Sequence, residues 1–345
     1  MRILITGAAG FIGCAAALRL AEQGRAVVCV DNISHCYDVS LKLDRLYRLG
    51  LSIKDGVDSL GPERAVVSRN YPDLRFFNTD ISDKKSVFNL FERGRFDLAI
   101  HFAAKSGAGY SRENADVYIS NNIQGFLNIM EAARRYPLKH IVYASSSAVY
   151  GRNEQVPFAE NQSCGKPLSV YAVSKRTNEL TAYAYANIYK IPSTALRIFT
   201  VYGPWGRPDM TPFLFAKAIL SGEPLTLYNG GAIKRDFTYI DDIVEGVCRV
   251  MDRPPVKTED GVPYALYNIG GSPVLISDFV ESLEKSLGKK ALIHEDPMPK
   301  GEMENVWADC SSLERFIDWR PAINIEEGTA RFAKWYKSYY KGNGK

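Results

Sequence analysis

Through the first two hundred residues, short apolar runs alternate with longer stretches of helical spacing. RILITG, AVVCVDN, LRFFNTD, FDLAIHFAA and HIVYASSS read as strands, and STALRIF as another. Their apolar positions are continuous, not alternating, as in strands buried on both faces. Helical patterns follow at 11–23, 84–93, 114–135 and 170–190. The alternation predicts an α/β fold, a doubly wound parallel sheet with helices on both faces. Beyond residue 203 the pattern loosens into Pro/Gly-punctuated pieces, with helices near 211–221, 240–252, 277–287 and 326–340. The expected organisation is a first domain over 1–200 and a smaller, lid-like C-terminal α/β domain over 201–345, with some chain exchange between them. The connection 34–73 is long and contains an amphipathic piece, DVSLKLDRLYRLG, so it is expected to carry structure.

Composition narrows the function classes. Over 345 residues, 46% are hydrophobic, 24% are charged, and the net charge is only +4. Those are ordinary globular values, and no basic tract suggests a nucleic-acid groove. The six cysteines are scattered without a CxxC pair or a Cys/His ligand cluster, so neither a metal site nor a disulfide framework is expected. No segment has the length and apolarity of a membrane span. A reduced, cytoplasmic protein acting on a small anionic molecule fits these limits.

The chemistry begins at ILITGAAGFIG, where Gly7, Gly10 and Gly13 follow a strand and open a helix. Glycines there permit a tight turn and close approach of a pyrophosphate, which the helix N-terminus attracts. A second strand ends in Asp31, 18 residues after Gly13, placed to accept hydrogen bonds from ribose hydroxyls. Its charge would repel a 2′-phosphate, so NAD is expected and not NADP. In SVYAVSK, Tyr171 and Lys175 are four residues apart, one turn apart on a helix face. A nearby ammonium favours the phenolate, which suits a tyrosine to proton transfer. Ser146, 25 residues upstream of Tyr171, falls at the carboxyl end of a predicted strand.

GxxGxxG, Asp31, HFAA, a serine before VYG and YxxxK together resemble the extended short-chain dehydrogenase/reductase family, its nucleotide-sugar epimerase/dehydratase branch, over nearly the whole chain. The resemblance implies that Tyr171 is the general base, Lys175 its electrostatic partner and a holder of the nicotinamide ribose, and Ser146 the orienting hydrogen bonder. It implies an NAD site formed by Gly7, Gly10, Phe11, Ile12, Gly13, Asp31, Asn32, Asp80, Ile81, Phe102, Ala103, Ala104, Lys105 and Asn121, together with Tyr171 and Lys175. Relatives that eliminate water or carbon dioxide carry an acidic residue just before VYG; this chain has Ser147 and Ala148, which favours 4-epimerisation.

YDVSLK at 37–42, FTVYGPWGRPDM at 199–210 and KRDFTYIDDIVEG at 234–246 are similar to UDP-glucuronate 4-epimerases. That likeness implies a UDP-sugar substrate held by Ser146, Ser147, Tyr171, Thr200, Arg207, Arg235 and Asp309. Arginine forks suit both phosphate and carboxylate. Two departures stand out. Gly109 replaces the family's usual arginine, with Lys105 and Arg112 nearby in sequence, and Glu302 replaces an aspartate. Epimerisation of another UDP-sugar, or dehydration or decarboxylation, are the alternatives. Relatives often pair through two long helices, here 114–135 and 170–190; Leu180, Tyr183, Tyr185 and Ile188 exceed what one core face needs, so a homodimer is expected.

Overall fold

The structure is a computed structural model and describes residues 1–53, 64–107, 110–255, 260–298 and 305–342. By contacts the chain divides into two units. The first comprises Met1–Arg152, Ser163–Arg197 and Val247–Tyr267; the second comprises Asn153–Gln162, Ile198–Gly246 and Asn268–Lys345. The chain therefore leaves the first unit and returns to it twice.

The first unit is built on a sheet with the strand order Tyr264–Ile269, Ser193–Ile198, His140–Ser146, Leu98–His101, Arg2–Thr6, Ala26–Asp31, Leu74–Asn78, Val66–Val67. The five strands from His140–Ser146 to Leu74–Asn78 are mutually parallel, and Val66–Val67 is antiparallel to Leu74–Asn78. Successive residues Ile3, Leu4 and Ile5 are all fully buried, so both faces of the sheet are covered, as the continuous apolar runs predict. On one face Leu4, Val28, Val30, Ala99, Ile141 and Tyr143 pack against Val87, Phe91, Phe126 and Ile129. Those partners come from helices Lys84–Gly94 and Gly125–Arg135.

The helix expected over 114–135 is interrupted. Ala115–Tyr118 is α-helical, Ile119–Gln124 forms a π-helical turn, and Gly125–Arg135 is α-helical again. The extra residue per turn carries Asn122 into the interior, where it is fully buried. The connection 34–73 holds helix Val39–Arg48, capped by Asp38 accepting from the Ser40 N–H at 2.9 Å. Part of that connection, 54–63, lies outside the described residues.

The second unit has a three-stranded sheet in which Lys234–Tyr239 runs parallel to Thr200–Tyr202 and antiparallel to Ser272–Leu275. A two-stranded parallel sheet pairs Pro224–Tyr228 with Leu292–Asp296. Helix Ile325–Gly342 contributes Phe332 and Trp335 to an aromatic cluster with Trp205 and Phe213. The TYIDDI run does open a helix, Ile240–Met251. Asp242, in the first turn of that helix, accepts from the N–H groups of Ala322 and Ile323, at 3.2 and 3.0 Å.

Candidate active site

The parallel strands of the first unit deliver their carboxyl ends to one edge, and most of the sequence-marked residues collect there. Register fixes this: Thr6 lies opposite Val30 and His101, His101 opposite Tyr143, and Asp31 opposite Asn78. Gly7 turns the chain out of the first strand at φ +76°, and its N–H donates to Val30 O at 2.8 Å. Gly10 N–H closes the turn onto Gly7 O at 3.0 Å. Phe11 and Ile12 then open helix Phe11–Glu22, whose N-terminus has no side-chain cap. Those first-turn N–H groups remain available to an anion, and Gly7 packs so closely on Phe102 and Ala103 that only a residue without a side chain fits. The residues present therefore fit a dinucleotide pyrophosphate.

Asp31 braces this loop. Its carboxylate accepts from Ala9 N–H at 3.0 Å and from Ile33 N–H at 2.8 Å. Asn32 donates to Asp80 Oδ2 at 2.8 Å, and Ser82 donates to Asp80 Oδ1 from both backbone and hydroxyl. Burial opposes the Asp80 charge, yet the Ser82 and Asn32 hydrogen bonds win and lower its pKa. Ile81 is a core residue under this turn. Ala103 N–H donates to Thr6 Oγ1 at 3.2 Å, holding the Phe102–Ala104 segment against the first strand.

Asn121 is the residue expected at the cofactor, and its buried neighbour braces the site from within. Asn122 accepts from Lys105 N–H at 2.7 Å and donates to Lys105 O at 2.9 Å and to Ser174 Oγ at 3.0 Å. It thus ties Lys105 to the helix that carries Tyr171 and Lys175, whereas Asn121 stays half-exposed. Two buried cations were also missed. Lys42 donates to Ser34 O at 2.6 Å, and Arg45 donates to Ala9 O at 3.0 Å and to the Tyr37 hydroxyl. Their three-residue spacing on one face of a helix was the available signal.

Ser146 ends its strand and caps the short 3-10 turn Ser147–Tyr150, accepting from Ala148 N–H at 3.2 Å. Tyr171 is the second residue of helix Val170–Tyr189, which Ser169 caps through Ala172 N–H at 3.1 Å. The Tyr171 ring stands edge-on to Tyr118, with centroids 6.1 Å apart. Lys175 is buried and donates from Nζ to Ala144 O at 2.8 Å. Burial brings its pKa down to about 8, against the opposing pull of Glu179.

His101, in the HFAA run, is buried with Nδ1 2.8 Å from Thr6 Oγ1, and its Nε2 has no partner among the described residues. Burial, reinforced by the Lys175 charge, lowers its pKa to about 3. His140 is likewise lowered to about 4 by burial, although its bond to Met251 O opposes the shift. Both histidines fold neutral, and the unfolded chain takes up their protons first. Stability is therefore fully present above the ordinary histidine pKa of 6.5 and is lost as pH falls from there toward 3–4. At pH 5 the loss is about 2 kcal/mol for each histidine. Urea denaturation at pH 7 and pH 5 checks this, and equal midpoints would refute it.

In the second unit Thr200 pairs in register with Phe237, and Arg235 bridges to Val306. Asp236, buried between them, accepts from Gly271 N–H at 2.7 Å and Ala308 N–H at 3.2 Å, pinning the segment that ends in Asp309. Asp309 accepts from Ser311 N–H at 2.9 Å. Thr200, Arg235 and Asp309 are thus held on one framework, while Arg207 lies in a turn and pairs with Asp209. Gly109 and Glu302, the two departures noted above, lie outside the described residues. Arg112 is exposed and Lys105 half-buried. Among the described residues no group of His, Cys, Asp or Glu could hold a metal, and no helix is long and apolar enough to cross a membrane.

A parallel sheet with a glycine turn at its first strand, an acid at its second and a Ser/Tyr/Lys set at its carboxyl edge defines a nicotinamide-dinucleotide enzyme. Residues 3–270 match the NAD dependent epimerase/dehydratase family, and the chain belongs to that family. It is 41% identical to Protein CapI of Staphylococcus aureus, over 99% of this chain and all of that protein. It is 38% identical to the probable UDP-glucuronate 4-epimerase of Rhizobium meliloti strain 1021, over 99% of this chain and 98% of the relative. Among solved structures it resembles the Bacillus cereus UDP-glucuronic acid 4-epimerase in complex with UDP-glucuronic acid and NAD. The TM-score is 0.83 and the identity 30%, covering 99% of this chain and all of that one.

Proposed function

We propose that the chain is an NAD-dependent 4-epimerase interconverting UDP-glucuronate and UDP-galacturonate. The observation that carries this is full-length likeness to a structure holding both UDP-glucuronic acid and NAD, together with Ser146, Tyr171 and Lys175 at the sheet edge. Gly7, Gly10, Phe11, Ile12 and Gly13 would hold the pyrophosphate, with Asp31, Asn32, Asp80, Ile81, the Phe102–Lys105 segment and Asn121 around the rest of the dinucleotide. When bound, NAD supplies the hydride acceptor and donor at sugar C4.

In this reading Tyr171 takes the proton of the C4 hydroxyl as the 4-keto sugar forms, and Lys175 stabilises the phenolate. Ser146 donates a hydrogen bond to the same oxygen. Once the ketosugar has presented its other face, Tyr171 returns the proton to C4–O. Ser147 and Ala148 offer no carboxyl group for a second proton transfer, which supports epimerisation over elimination. Ser147, Thr200, Arg207, Arg235 and Asp309 are proposed to bind the UDP-sugar.

Incubating the purified protein with UDP-glucuronate and no added NAD, with anomeric protons followed by NMR, tests the proposal. The expected result is UDP-galacturonate growing to an equilibrium mixture. Unchanged UDP-glucuronate in the presence of folded, NAD-loaded protein refutes the uronate assignment. A second reading, another UDP-sugar, rests on Gly109 and is decided by neutral UDP-sugars in the same assay.

We also propose a homodimer acting in the cytoplasm. Leu180, Tyr183, Ile188 and Tyr189 are exposed on helix Val170–Tyr189, and Leu180 and Ile188 are 57% and 64% accessible. Tyr185 is half-buried, with its hydroxyl donating to Glu131 at 2.6 Å, and adds less to this face than the exposed Tyr183. Sedimentation at one chain's mass would dismiss the dimer.

A further inference from the structure

Behind the Ser146, Tyr171 and Lys175 positions lies a buried charged cluster that the chemistry above leaves unused. Glu179 follows Lys175 by one turn on the same helix and is 2% exposed. Its Oε1 accepts from Ser145 Oγ at 2.6 Å and from Arg197 Nε at 2.9 Å. Its Oε2 accepts from Arg197 Nη2 at 3.0 Å and from Arg176 Nη1 at 2.7 Å. Arg197 is buried in turn, with its guanidinium 4.7 Å from the centre of the Tyr150 ring.

Ser145, Tyr150 and Arg176 adjoin the catalytic set, Arg176 following Lys175 directly. Ser145 precedes Ser146, Tyr150 ends the turn that Ser146 caps, and Ala144 supplies the carbonyl that receives Lys175 Nζ. For stability alone, a well-packed apolar pair would serve as well as a buried ion pair. A carboxylate with four donors, one turn from a buried ammonium, has a further use. We propose that Glu179 is a positioning residue of the catalytic set, whose fixed carboxylate keeps the Lys175 ammonium charged and seated on Ala144 O. The proposal rests on the role given above to Lys175.

The surrounding groups make Glu179 the counter-charge. Burial raises the pKa of Glu179, but its hydrogen bonds and ion pair with Arg197 and the donors Ser145 and Arg176 outweigh that and lower it. Arg176 and Arg197 are cations. His101, facing from the strand Leu98–His101, stays neutral at working pH. Burial raises the Tyr143, Tyr264 and Cys164 pKa values, so these remain protonated, and Tyr150 lies against Arg197. Among these groups Glu179 is the one standing anion; the Tyr171 phenolate belongs to the catalytic set itself and gives up its charge to the C4 proton in each cycle. Neutralising it leaves Lys175 in a dry, cationic setting where the ammonium sheds its proton at lower pH.

The test is a titration of the NAD-loaded protein labelled with 13Cε-lysine, the Lys175 signal being assigned by loss in Lys175→Arg. The wild-type midpoint is expected near 8. Glu179→Gln is expected to lower it by about one unit, a tenfold change in proton affinity. If that variant fails to fold because Arg197 is left unpaired, Glu179→Gln/Arg197→Gln removes both charges and is expected to show a smaller downward move, because the Arg197 cation is lost with the carboxylate. Glu179→Asp restores most of the wild-type midpoint. The alkaline limb of the epimerisation rate should follow the same order. An unchanged Lys175 midpoint in a folded Gln variant, with activity lost equally at every pH, makes Glu179 merely structural and overturns the proposal. The titration needs no turnover, so failure of the wild type to epimerise would count against the function and leave the coupling of Glu179 to Lys175 intact.

Discussion

Tyr171→Phe is expected to fold, retain NAD and lose roughly a thousandfold in epimerisation rate, the middle of the range for removing a general acid–base group. The ring of phenylalanine preserves the edge-on contact with Tyr118, and the helix cap at Ser169 does not involve the phenol. What disappears is the one hydroxyl proposed to carry the C4 proton in both directions. Because it acts in each half of the cycle, Ser146 alone does not substitute for it. Single-turnover measurement of UDP-galacturonate formation, with thermal denaturation as the control, separates chemistry from folding. A fall of less than tenfold in a normally folded variant would remove Tyr171 from the role of base.

The second large effect falls on Gly7→Ala. A Cβ there would sit 2.6 Å from Ala103 N and 2.7 Å from Phe102 C, and those are backbone atoms fixed by the neighbouring strand. The residue also holds φ +76°. Left-handed backbone costs an alanine about 1–2 kcal/mol, and overpacking adds about 1–3 kcal/mol. Gly24→Ala supplies the comparison: it has φ +72° but nothing within 4 Å of the added carbon. The Gly24 variant should show only the backbone cost, and the Gly7 variant that cost plus the collision together with loss of bound NAD. Equal urea midpoints for the two variants would show that the Phe102–Ala103 segment yields, contrary to the geometry.

These two positions also show what local sequence conveys. A glycine turn between strand and helix, or a tyrosine and lysine one turn apart, is fixed by residues a few places apart. Such patterns survive in the sequence, and the strands and helices around them were legible for the same reason. Asn122 was not. Its burial depends on a π-helical turn, and its partners Lys105 and Ser174 lie 17 and 52 residues away. The contact of Arg45 with Ala9, across 36 residues, and that of Glu179 with Arg197 were equally hidden. Helix Ser311–Ile317 was also missed, being short and weakly patterned. The expected substrate residues were named from resemblance, and the framework beneath them, Asp236 with the strand Lys234–Tyr239, emerged only from the three-dimensional hydrogen bonding.

The interleaving of the two units has a consequence for biosynthesis. Strand Ser193–Ile198 finds its outer neighbour only in Tyr264–Ile269, after the intervening chain has gone to build the other unit. A ribosome adding roughly 5–20 residues per second leaves that hydrophobic edge bare for several seconds. During that interval the nascent sheet, fully buried on both sides of Ser193–Ile198 in the finished protein, is an open template for wrong pairing. A fragment ending at residue 200 would be stranded permanently in that state. The unit that carries Ser146, Tyr171 and Lys175 is therefore completed late in translation, only when its last strand arrives.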